Sequence, residues 1–318
     1  MNNPFFSVVI TCCNYERYIR RCIESVFLQS FKNFEIIVVN AGSTDNSYKI
    51  ISSYKEIVKV SAPKGFHSVA CFSGLKKCKG KWVLFLDADD FLFKSALRNV
   101  RNTIRPGFIK VQFNLRICDK DGNYSRREMV TFPKNYNTEQ IKKDFEKTGT
   151  YSWPVTSGNV YLHSFLKEVF PLNRFLPVDG QLNTIAPAFG GVGQINNALG
   201  CYRLHNQNMD NRSLNPWDPK RFQYNIKRRY KEFFYARKTA HSLNKKFPLK
   251  PFLNHELTFI SYRIFLRKLG TPYFMHGKER AWILYGLFVK VFLRKSFLLS
   301  YGIISFFGFL FLFLHLKT

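Results

Sequence analysis

The chain has 318 residues, 46% of them hydrophobic and 17% aromatic, which suffices for one large domain or two small ones and argues against a disordered protein. Its formal net charge is +28, and 21 Lys and Arg residues but only four acids lie from Arg212 onward. Such an excess favours polyanionic partners such as nucleic acid, anionic lipid or phosphorylated substrates, with the C-terminal third of the chain facing the anion.

Two features of the sequence concern the cellular compartment. The seven cysteines show neither a CxxC pair nor the Cys/His spacing of a zinc site, so we interpret them as buried thiols in a reducing compartment. The N-terminal run MNNPFFSVVIT enters a strand-like segment directly, without the basic and apolar regions of a signal peptide. We therefore do not expect a secretory signal at this end.

The first hundred residues alternate between strand and helix patterns. Apolar, β-branched runs predict strands at 6–11, 34–39, 58–60 and 82–86. Helical patterns follow Asn14, a good N-cap residue, then Asp45, and then occupy 67–78. This βαβαβαβ order predicts an α/β fold with a mostly parallel sheet and helices on both faces. Since ligands of such sheets bind at the carboxyl ends of the strands, we expect the site just after Thr11, Val39 and Leu86.

The middle of the chain has weaker patterns. Residues 108–132 contain two strand-like runs around Asp-Lys-Asp-Gly at 119–122, which predicts a hairpin. Residues 151–212 mix short apolar runs with Gly, Pro and Asn, so we expect loops and short elements there. From Pro219 to Phe247 the pattern is helical and strongly basic, with ten Lys and Arg residues between 220 and 246 and Glu232 as the one acid.

The C-terminal end is apolar. Residues 297–316 form a run of twenty residues without a formal charge, with His315 counted as neutral. This run just reaches the length of a membrane span. Together with 282–293, this run indicates either one spanning helix preceded by an interfacial helix or a hairpin within one leaflet, and a soluble core helix is the third alternative. Arg294 and Lys295 favour a location of the preceding part of the chain on the cytoplasmic face of the membrane, where the basic segment 220–246 would help docking.

Three carboxylates lie within four residues at Asp87-Ala88-Asp89-Asp90, directly after the predicted strand 82–86. Carboxylates so close together repel one another unless they share a cation, and Mg²⁺ or Mn²⁺ would bridge them to a diphosphate. The alternative is an acidic N-cap of a helix that begins near Lys94.

Several motifs occur in a fixed order. They are SVVIT at 7–11 with Asn14-Tyr15, EIIVV at 35–39, GSTD at 42–45, GKWV at 80–83 and LDADD at 86–90. A second block comprises TSGNVY at 156–161, Asp179 and LGCYRLH at 199–205. Over roughly residues 5–208 this arrangement resembles the family 2 glycosyltransferases with the GT-A fold, of the bacterial cell-surface polysaccharide type.

The resemblance implies a metal-dependent, inverting glycosyltransferase and assigns roles to its residues. Asp87 and Asp89 match the DxD motif, and His205 completes the metal or diphosphate site, with Mg²⁺ or Mn²⁺ as the cofactor. Asp179 matches the general base, which takes the proton of the acceptor hydroxyl. The donor-binding residues it implies are Thr11, Asn14, Asn40, Asp45 and Asp87.

The resemblance and the basic, apolar C-terminus together predict a domain plan and partners. We expect a GT-A domain at 1–212 (nucleotide-sugar half 1–105, acceptor half 106–212), a basic helical segment at 213–281 and a membrane-associated tail at 282–318. The expected partners are a nucleotide-sugar donor, with a UDP-sugar favoured, a saccharide or lipid-linked acceptor and an anionic membrane surface, but no nucleic acid.

The sequence departs from the family pattern at two motifs and at Val178, the residue before Asp179, where many members have Glu. Asn40-Ala41 stands where the family usually has Asp-Asp, whose first Asp contacts the base of the nucleotide. The Arg and Asn of the Ala-Arg-Asn-x-Gly motif are replaced by Cys71 and Phe72. A non-catalytic GT-A partner in a biosynthetic complex is therefore a second hypothesis. A nucleic-acid-binding protein is a third, although no helix-turn-helix, zinc or RNP motif occurs and the aspartates would be unexplained.

Overall fold

A computed structural model describes residues 3–130, 132–205, 208 and 219–248. Residues 3–208 and 224–248 of this part fall within one compact unit. The predicted tail at 282–318 and most of the basic segment 213–281 lie outside the described residues. Among the helices that are described, none is both long and apolar enough to cross a membrane.

One mixed sheet organises the described part of the chain. Its nine strands are β1 Phe6–Cys12, β2 Phe34–Asn40, β3 Val58–Ser61, β4 Trp82–Asp87, β5 Phe91–Leu92, β6 Phe108–Cys118, β7 Tyr124–Glu128, β8 Asn159–Leu162 and β9 Gly191–Arg203. The α-helices are α1 Ile19–Phe27, α2 Ser47–Ser52, α3 His67–Leu75, α4 Ala96–Thr103, α5 Thr138–Thr148, α6 His163–Val169, α7 Val178–Ile185 and α8 Pro219–Ser242.

The strand order is β3-β2-β1-β4-β8-β6-β9-β5, with β7 paired to β6. The four strands β3, β2, β1 and β4 are parallel, as the repeated βα pattern predicted. The prediction of a mostly parallel sheet is wrong beyond them, because β8 runs antiparallel to both β4 and β6. Four of the eight strand pairings are antiparallel, so the sheet is mixed.

Helices cover both faces of the sheet, as predicted. Val8 and Ile10 of β1 point to the face that α1 and α4 cover, and Val9 between them points to the face that α3, α7 and α8 cover. Successive side chains of a strand alternate between faces, so a strand buried on both sides has to be apolar throughout. This explains the uninterrupted apolar runs of β1, β2 and β4.

The structure corrects two local predictions. Residues 151–212, expected to be loops and short elements, include the thirteen-residue strand β9, which pairs with β6 along most of its length. Asn14 does not cap a helix, since α1 begins at Ile19 and Asn14 has a left-handed backbone with φ of 59°. The hairpin at 119–122 is confirmed as the β6–β7 connection, and the basic helix is confirmed as α8.

Candidate active site

The carboxyl ends of the central strands bring three predicted residues together. Thr11 of β1 is the register partner of Asp87 of β4, and the next residue of β1, Cys12, is the partner of Asn40 of β2. The two flanking strands therefore place Asn40 and Asp87 on either side of the end of β1. This is the edge at which parallel α/β sheets bind their ligands.

His67, the first residue of α3, lies against this edge. Its Nε2 is 3.1 Å from Thr11 Oγ1, 3.3 Å from Asp87 Oδ1 and 3.4 Å from Cys71 Sγ. Burial disfavours the imidazolium, but Cys71 and the Asp87 carboxylate outweigh it and raise the pKa of His67 well above its usual value. His67 thus lies beside Asp87 and close to Cys71, which replaces the arginine of the expected motif.

Asp89 is held in a buried contact with His205. The Nε2 of His205 donates to Asp89 Oδ2 over 2.9 Å, and the exposed fractions of the two side chains are 5% and 9%. The ring of Tyr18 stacks on the imidazole with a centroid separation of 4.9 Å, which fixes the plane of the ring. Burial raises the pKa of the Asp89 carboxyl above its usual value, and the hydrogen bond with His205 opposes this effect.

Asp90 has a different environment from its two neighbours. It is 1% exposed, and its carboxylate accepts hydrogen bonds from Ser157 Oγ at 2.6 Å and from the Arg203 amide at 3.0 Å. Ser157 Oγ in turn accepts a hydrogen bond from the Asp87 amide at 3.1 Å. Asp90 therefore joins the end of β4 to β9 and to the segment before β8, which makes it a structural residue.

The alternative of an acidic helix N-cap is wrong for this cluster. Helix α4 begins at Ala96 with Ser95 at its N-cap, and its first turn contains no acid. Asp87 and Asp89 are instead directed to histidines on two different elements. Within the described residues, no group of three or more His, Cys, Asp or Glu side chains is placed to hold a metal ion by itself.

The loops after β1 and β2 are joined by reciprocal hydrogen bonds between side chains and backbone, which we call the two-loop network. Asn14 Oδ1 accepts from the Thr44 amide at 2.7 Å, and Asp45 Oδ2 accepts from the Glu16 amide at 3.0 Å. In the opposite direction, Glu16 Oε2 accepts from the Asn46 amide at 2.8 Å. Asn14 and Asp45, which were predicted to bind the nucleotide-sugar donor, thus hold the two loops together in the structure.

Asn40 is engaged by its own loop. Its Oδ1 accepts a hydrogen bond from the Ser43 amide at 3.2 Å, which closes a tight turn through Gly42, whose φ is 68°. A Cβ at Gly42 would overlap Lys64, so this turn requires glycine for its backbone angle and for space. The side-chain amide NH₂ is the group of Asn40 that remains for a ligand.

Asp179 lies apart from the other aspartates, in the first turn of α7. Among the described residues, no hydrogen bond or ion pair links it to Asp87 or Asp89. Burial lowers the pKa of Lys110 well below its usual value, and the charge of Asp179 opposes this, so the two groups interact. Gly180, the next residue, packs so closely on the buried Glu232 of α8 that a Cβ there would overlap the carboxylate.

The comparison with known proteins decides the family. Residues 7–170 match the family described as Glycosyl transferase family 2, which is more than half of the chain. The chain is a family 2 glycosyltransferase. The match spans the two-loop network, the DxD residues and the Ser157 contact, and it ends before Asp179 and His205.

Sequence relatives agree with this assignment. The glycosyltransferase is 29% identical over 212 residues to an uncharacterized glycosyltransferase of Nostoc sp., an alignment that covers 64% of this chain and 65% of the relative. It is 27% identical over 151 residues to a UDP-Glc:alpha-D-GlcNAc-diphosphoundecaprenol beta-1,3-glucosyltransferase of Escherichia coli, covering 46% and 51% of the two chains. The aligned region therefore spans between half and two thirds of the length of these relatives.

Solved structures confirm the GT-A-like fold with its mixed sheet. Residues 1–349 of S. aureus TarS in complex with UDP-GlcNAc superpose with a TM-score of 0.57 at 19% identity, covering 89% of this chain and 79% of TarS. The mannosyltransferase PcManGT from Pyrobaculum calidifontis in complex with GDP-Man and Mn²⁺ gives a TM-score of 0.50 at 11% identity, covering 91% and 86%.

The glycosyltransferase contains site residues that the sequence analysis did not predict. His67 was not predicted because the family motif falls at positions 70–74, after it. The signal that could have identified it is its position one helical turn before Cys71, which places the two side chains in contact. Arg203 is 2% exposed and donates from Nε to the Asp89 carbonyl at 2.7 Å, so it supports the DxD loop from β9.

Proposed function

We propose that this family 2 glycosyltransferase is a metal-dependent, inverting enzyme that transfers a sugar from a nucleotide-diphosphate sugar to a hydroxyl of a saccharide or lipid-linked acceptor. The observation that carries the proposal is the buried contact of Asp89 with His205 beside Asp87, at the carboxyl edge of the sheet. A buried acidic group at a ligand-binding edge is stabilised by a cation, and a nucleoside diphosphate brings charge that needs one.

Asp87, Asp89 and His205 are the residues that would hold Mg²⁺ or Mn²⁺. Mg²⁺ is commonly bound by one or two carboxylates together with substrate phosphates, so this small donor set suits a metal whose coordination the donor completes. When bound, the metal would act as a Lewis acid that stabilises charge on the departing nucleoside diphosphate. The side chain of Asp87 is 29% exposed, so it can reach a ligand in solvent, whereas Asp89 is oriented by His205.

Asp179 is the proposed general base. Its carboxylate would accept the proton of the acceptor hydroxyl as the oxygen attacks the anomeric carbon on the face opposite the leaving diphosphate. Its separation from the DxD residues agrees with this role, because the donor sugar has to lie between base and leaving group. Helix α7, which carries Asp179, is held by α8, since Gly180 packs directly on Glu232.

The proposed donor is a UDP-sugar. Thr11, Asn40 and Asp87 meet at the strand ends, and Asn14 and Asp45 hold the loops around them. The Escherichia coli relative is named for UDP-Glc and a lipid-diphosphate acceptor, and the S. aureus structure contains UDP-GlcNAc. Both names support a uridine donor, and the lipid-diphosphate acceptor in the first name suits the setting that we propose, cell-surface polysaccharide synthesis.

A membrane-surface location is the last part of the proposal. Between residues 224 and 238 of α8, the described side chains that are exposed recur every three or four residues, so they share one helix face. They are Tyr224, Lys227, Lys231, Phe234 and Lys238. Three lysines and two aromatic residues without an acid suit the headgroup region of an anionic leaflet, where each lysine contributes about 1 kcal/mol. We propose the cytoplasmic face, with the catalytic domain at 1–212, the basic segment at 213–281 and the apolar tail at 282–318.

The decisive experiment measures hydrolysis of and transfer from a panel of nucleotide sugars with and without Mn²⁺. Asp89→Asn should abolish Mn²⁺-dependent turnover, whereas Asp121→Asn, a control on the hairpin whose side chain is 53% exposed, should not. Asp179→Asn should bind donor normally and lose roughly 10²–10⁴-fold in transfer. Unchanged metal dependence in Asp89→Asn would refute the DxD assignment, and an active Asp179→Asn would refute the base.

The membrane proposal is tested separately by sedimentation of the full chain with phosphatidylglycerol vesicles. Changing the three exposed lysines of α8 to Glu should reduce binding. The control is the same threefold change on α5, at Lys142, Lys143 and Lys147, which are also exposed. Equal losses in both variants would show a general charge effect and would contradict a docking face on α8.

A further inference from the structure

An exposed cluster of two aromatic rings and a guanidinium, which we call the rim cluster, comprises Phe66, Arg174 and Phe175. The exposed fractions of Phe66 and Phe175 are 38% and 70%, and their ring centroids are 5.3 Å apart in an edge-to-face arrangement. The guanidinium carbon of Arg174 lies 5.4 Å from the Phe66 centroid and 5.0 Å from the Phe175 centroid. Exposed apolar groups gathered in this way mark interaction sites more often than isolated ones.

The loop that presents Phe175 is held rigidly. Gln181 of α7 is 1% exposed, and its side chain accepts from the Asn173 amide at 2.9 Å and donates to the carbonyls of Asn173 and Leu176, each at 3.0 Å. The Phe175 amide donates to Asn173 Oδ1 at 2.9 Å. Because this buried side chain fixes the loop at both ends, the exposure of Phe175 is a built feature of the fold.

The rim cluster lies between the two halves of the proposed site. Phe66 directly precedes His67, whose ring contacts Thr11 and Asp87 at the donor edge. Phe175 belongs to the loop that leads into α7, and the first turn of α7 carries Asp179. The contact between the two phenylalanines therefore connects the donor side of the site to the helix of the proposed base, which is where an acceptor has to enter.

We infer that the rim cluster is the acceptor platform, which binds a saccharide ring against Phe175 and an anionic phosphate of the same acceptor with Arg174. The C–H groups on the face of a pyranose match the flat, electron-rich face of an aromatic ring. A guanidinium forms charge-assisted, bidentate hydrogen bonds with a phosphate. This inference rests on the proposed function, and it specifies the acceptor as a glycosyl phosphate or diphosphate, on which a sugar hydroxyl is the attacking group.

The test uses paired probes that differ in one phosphate: the 1-phosphates of glucose, galactose and N-acetylglucosamine, and the corresponding methyl glycosides. Their affinities for the full chain, loaded with UDP and Mn²⁺, are measured by NMR titration. Phe175→Ala should weaken both classes about three- to tenfold, the scale of an aromatic contact. Arg174→Gln should weaken only the 1-phosphates, by about tenfold, the scale of a charged hydrogen bond.

Two further variants separate stacking from other roles. Phe175→Trp keeps an aromatic face and should retain binding, whereas Phe175→Leu keeps an apolar side chain without that face and should behave as Phe175→Ala. Tyr48→Ala, a control at an aromatic residue that is 55% exposed on α2, should leave every probe unchanged.

Several outcomes would overturn the inference. One is a chain that binds UDP and hydrolyses a nucleotide sugar but binds none of the six probes. Another is probe binding that Phe175→Ala and Arg174→Gln leave unchanged. If Phe175→Ala instead reduces sedimentation with phosphatidylglycerol vesicles and leaves the sugars unaffected, the cluster is a membrane contact. Failure of UDP binding and donor hydrolysis in the unchanged chain would refute the proposed function itself.

Discussion

The identity of residue 40 should control how tightly the enzyme binds uridine nucleotides. Asn40 Oδ1 already accepts from the Ser43 amide at 3.2 Å, so we expect its NH₂ donor to be the group that meets a bound base. The N3–H of uracil is also a donor, and two donors do not pair. Asn40→Asp would keep one oxygen on Ser43 and present the second oxygen to N3–H.

The expected gain follows from the type of bond. A hydrogen bond to a charged group contributes about 1.5–3 kcal/mol, and residue 40 is only half-buried, so we expect the lower end of this range. About 1.5 kcal/mol corresponds to roughly tenfold tighter binding. Calorimetry in Mn²⁺ should therefore show tighter UDP and dTDP binding for Asn40→Asp. CDP should not gain, because N3 of cytosine is an acceptor and would face a carboxylate.

The matched control is Asn33→Asp, at the other end of β2. Asn33 is exposed, and its Oδ1 also accepts a backbone hydrogen bond, from Phe5 at 3.1 Å, so the substitution adds the same charge beside a backbone donor at the opposite end of the strand. It should leave all nucleotide affinities unchanged. The reasoning is refuted if Asn40→Asp changes the affinities for UDP and CDP equally. It is also refuted if Asn33→Asp changes the affinity for UDP as much as Asn40→Asp does.

Other expectations concern stability, measured by urea unfolding. Ser157→Ala removes a donor to buried Asp90 and an acceptor of the Asp87 amide, so it should lower the free energy of unfolding by about 3 kcal/mol, and a loss below 1 kcal/mol would contradict the structural role of Asp90. Burial raises the pKa of Glu232, so above the usual carboxyl pKa the folded state binds more protons than the unfolded state, and the free energy of unfolding falls as pH rises. Glu232→Gln should remove this decline. An unchanged pH profile of the variant would exclude Glu232 as its cause. Gly180→Ala should cost about 1–3 kcal/mol through overlap with Glu232, and a neutral effect would show that α8 can shift.

The fold could be predicted where local pattern and long-range pairing agree. Strands β1, β2 and β4 are buried on both faces, so each is a continuous apolar run that the sequence displays. Strand β9 contains Gly, Gln and Asn, and its conformation is fixed by pairing with β6 some eighty residues earlier, which no local pattern reports. The reversed direction of β8 was hidden for the same reason, because direction depends on which strands become neighbours.

The site divides in a similar way. Asp87 and Asp89 follow a recognisable strand, and the contact of Asp89 with His205 joins two residues that the resemblance assigns to one site, although the metal they would hold stays a prediction. Asn14 is a residue type that favours a helix N-cap, but its side-chain oxygen accepts from the amide of Thr44, in the next βα loop. His67 escaped because its partners, Thr11 and Asp87, come from two strands that are distant in sequence from each other and from it.

The two-loop network has a consequence for how the enzyme can diversify. Glu16 and Asp45 satisfy each other's loop backbones, so the loop that contains residue 40 obtains its shape from folding and spends no binding energy on being ordered. We therefore expect Asn40→Asp, which keeps an acceptor for the Ser43 amide, to change the chemistry presented to a nucleotide while the frame around it stays intact. In evolutionary terms, such a preformed frame would allow nucleotide affinity to be tuned by a substitution at one position.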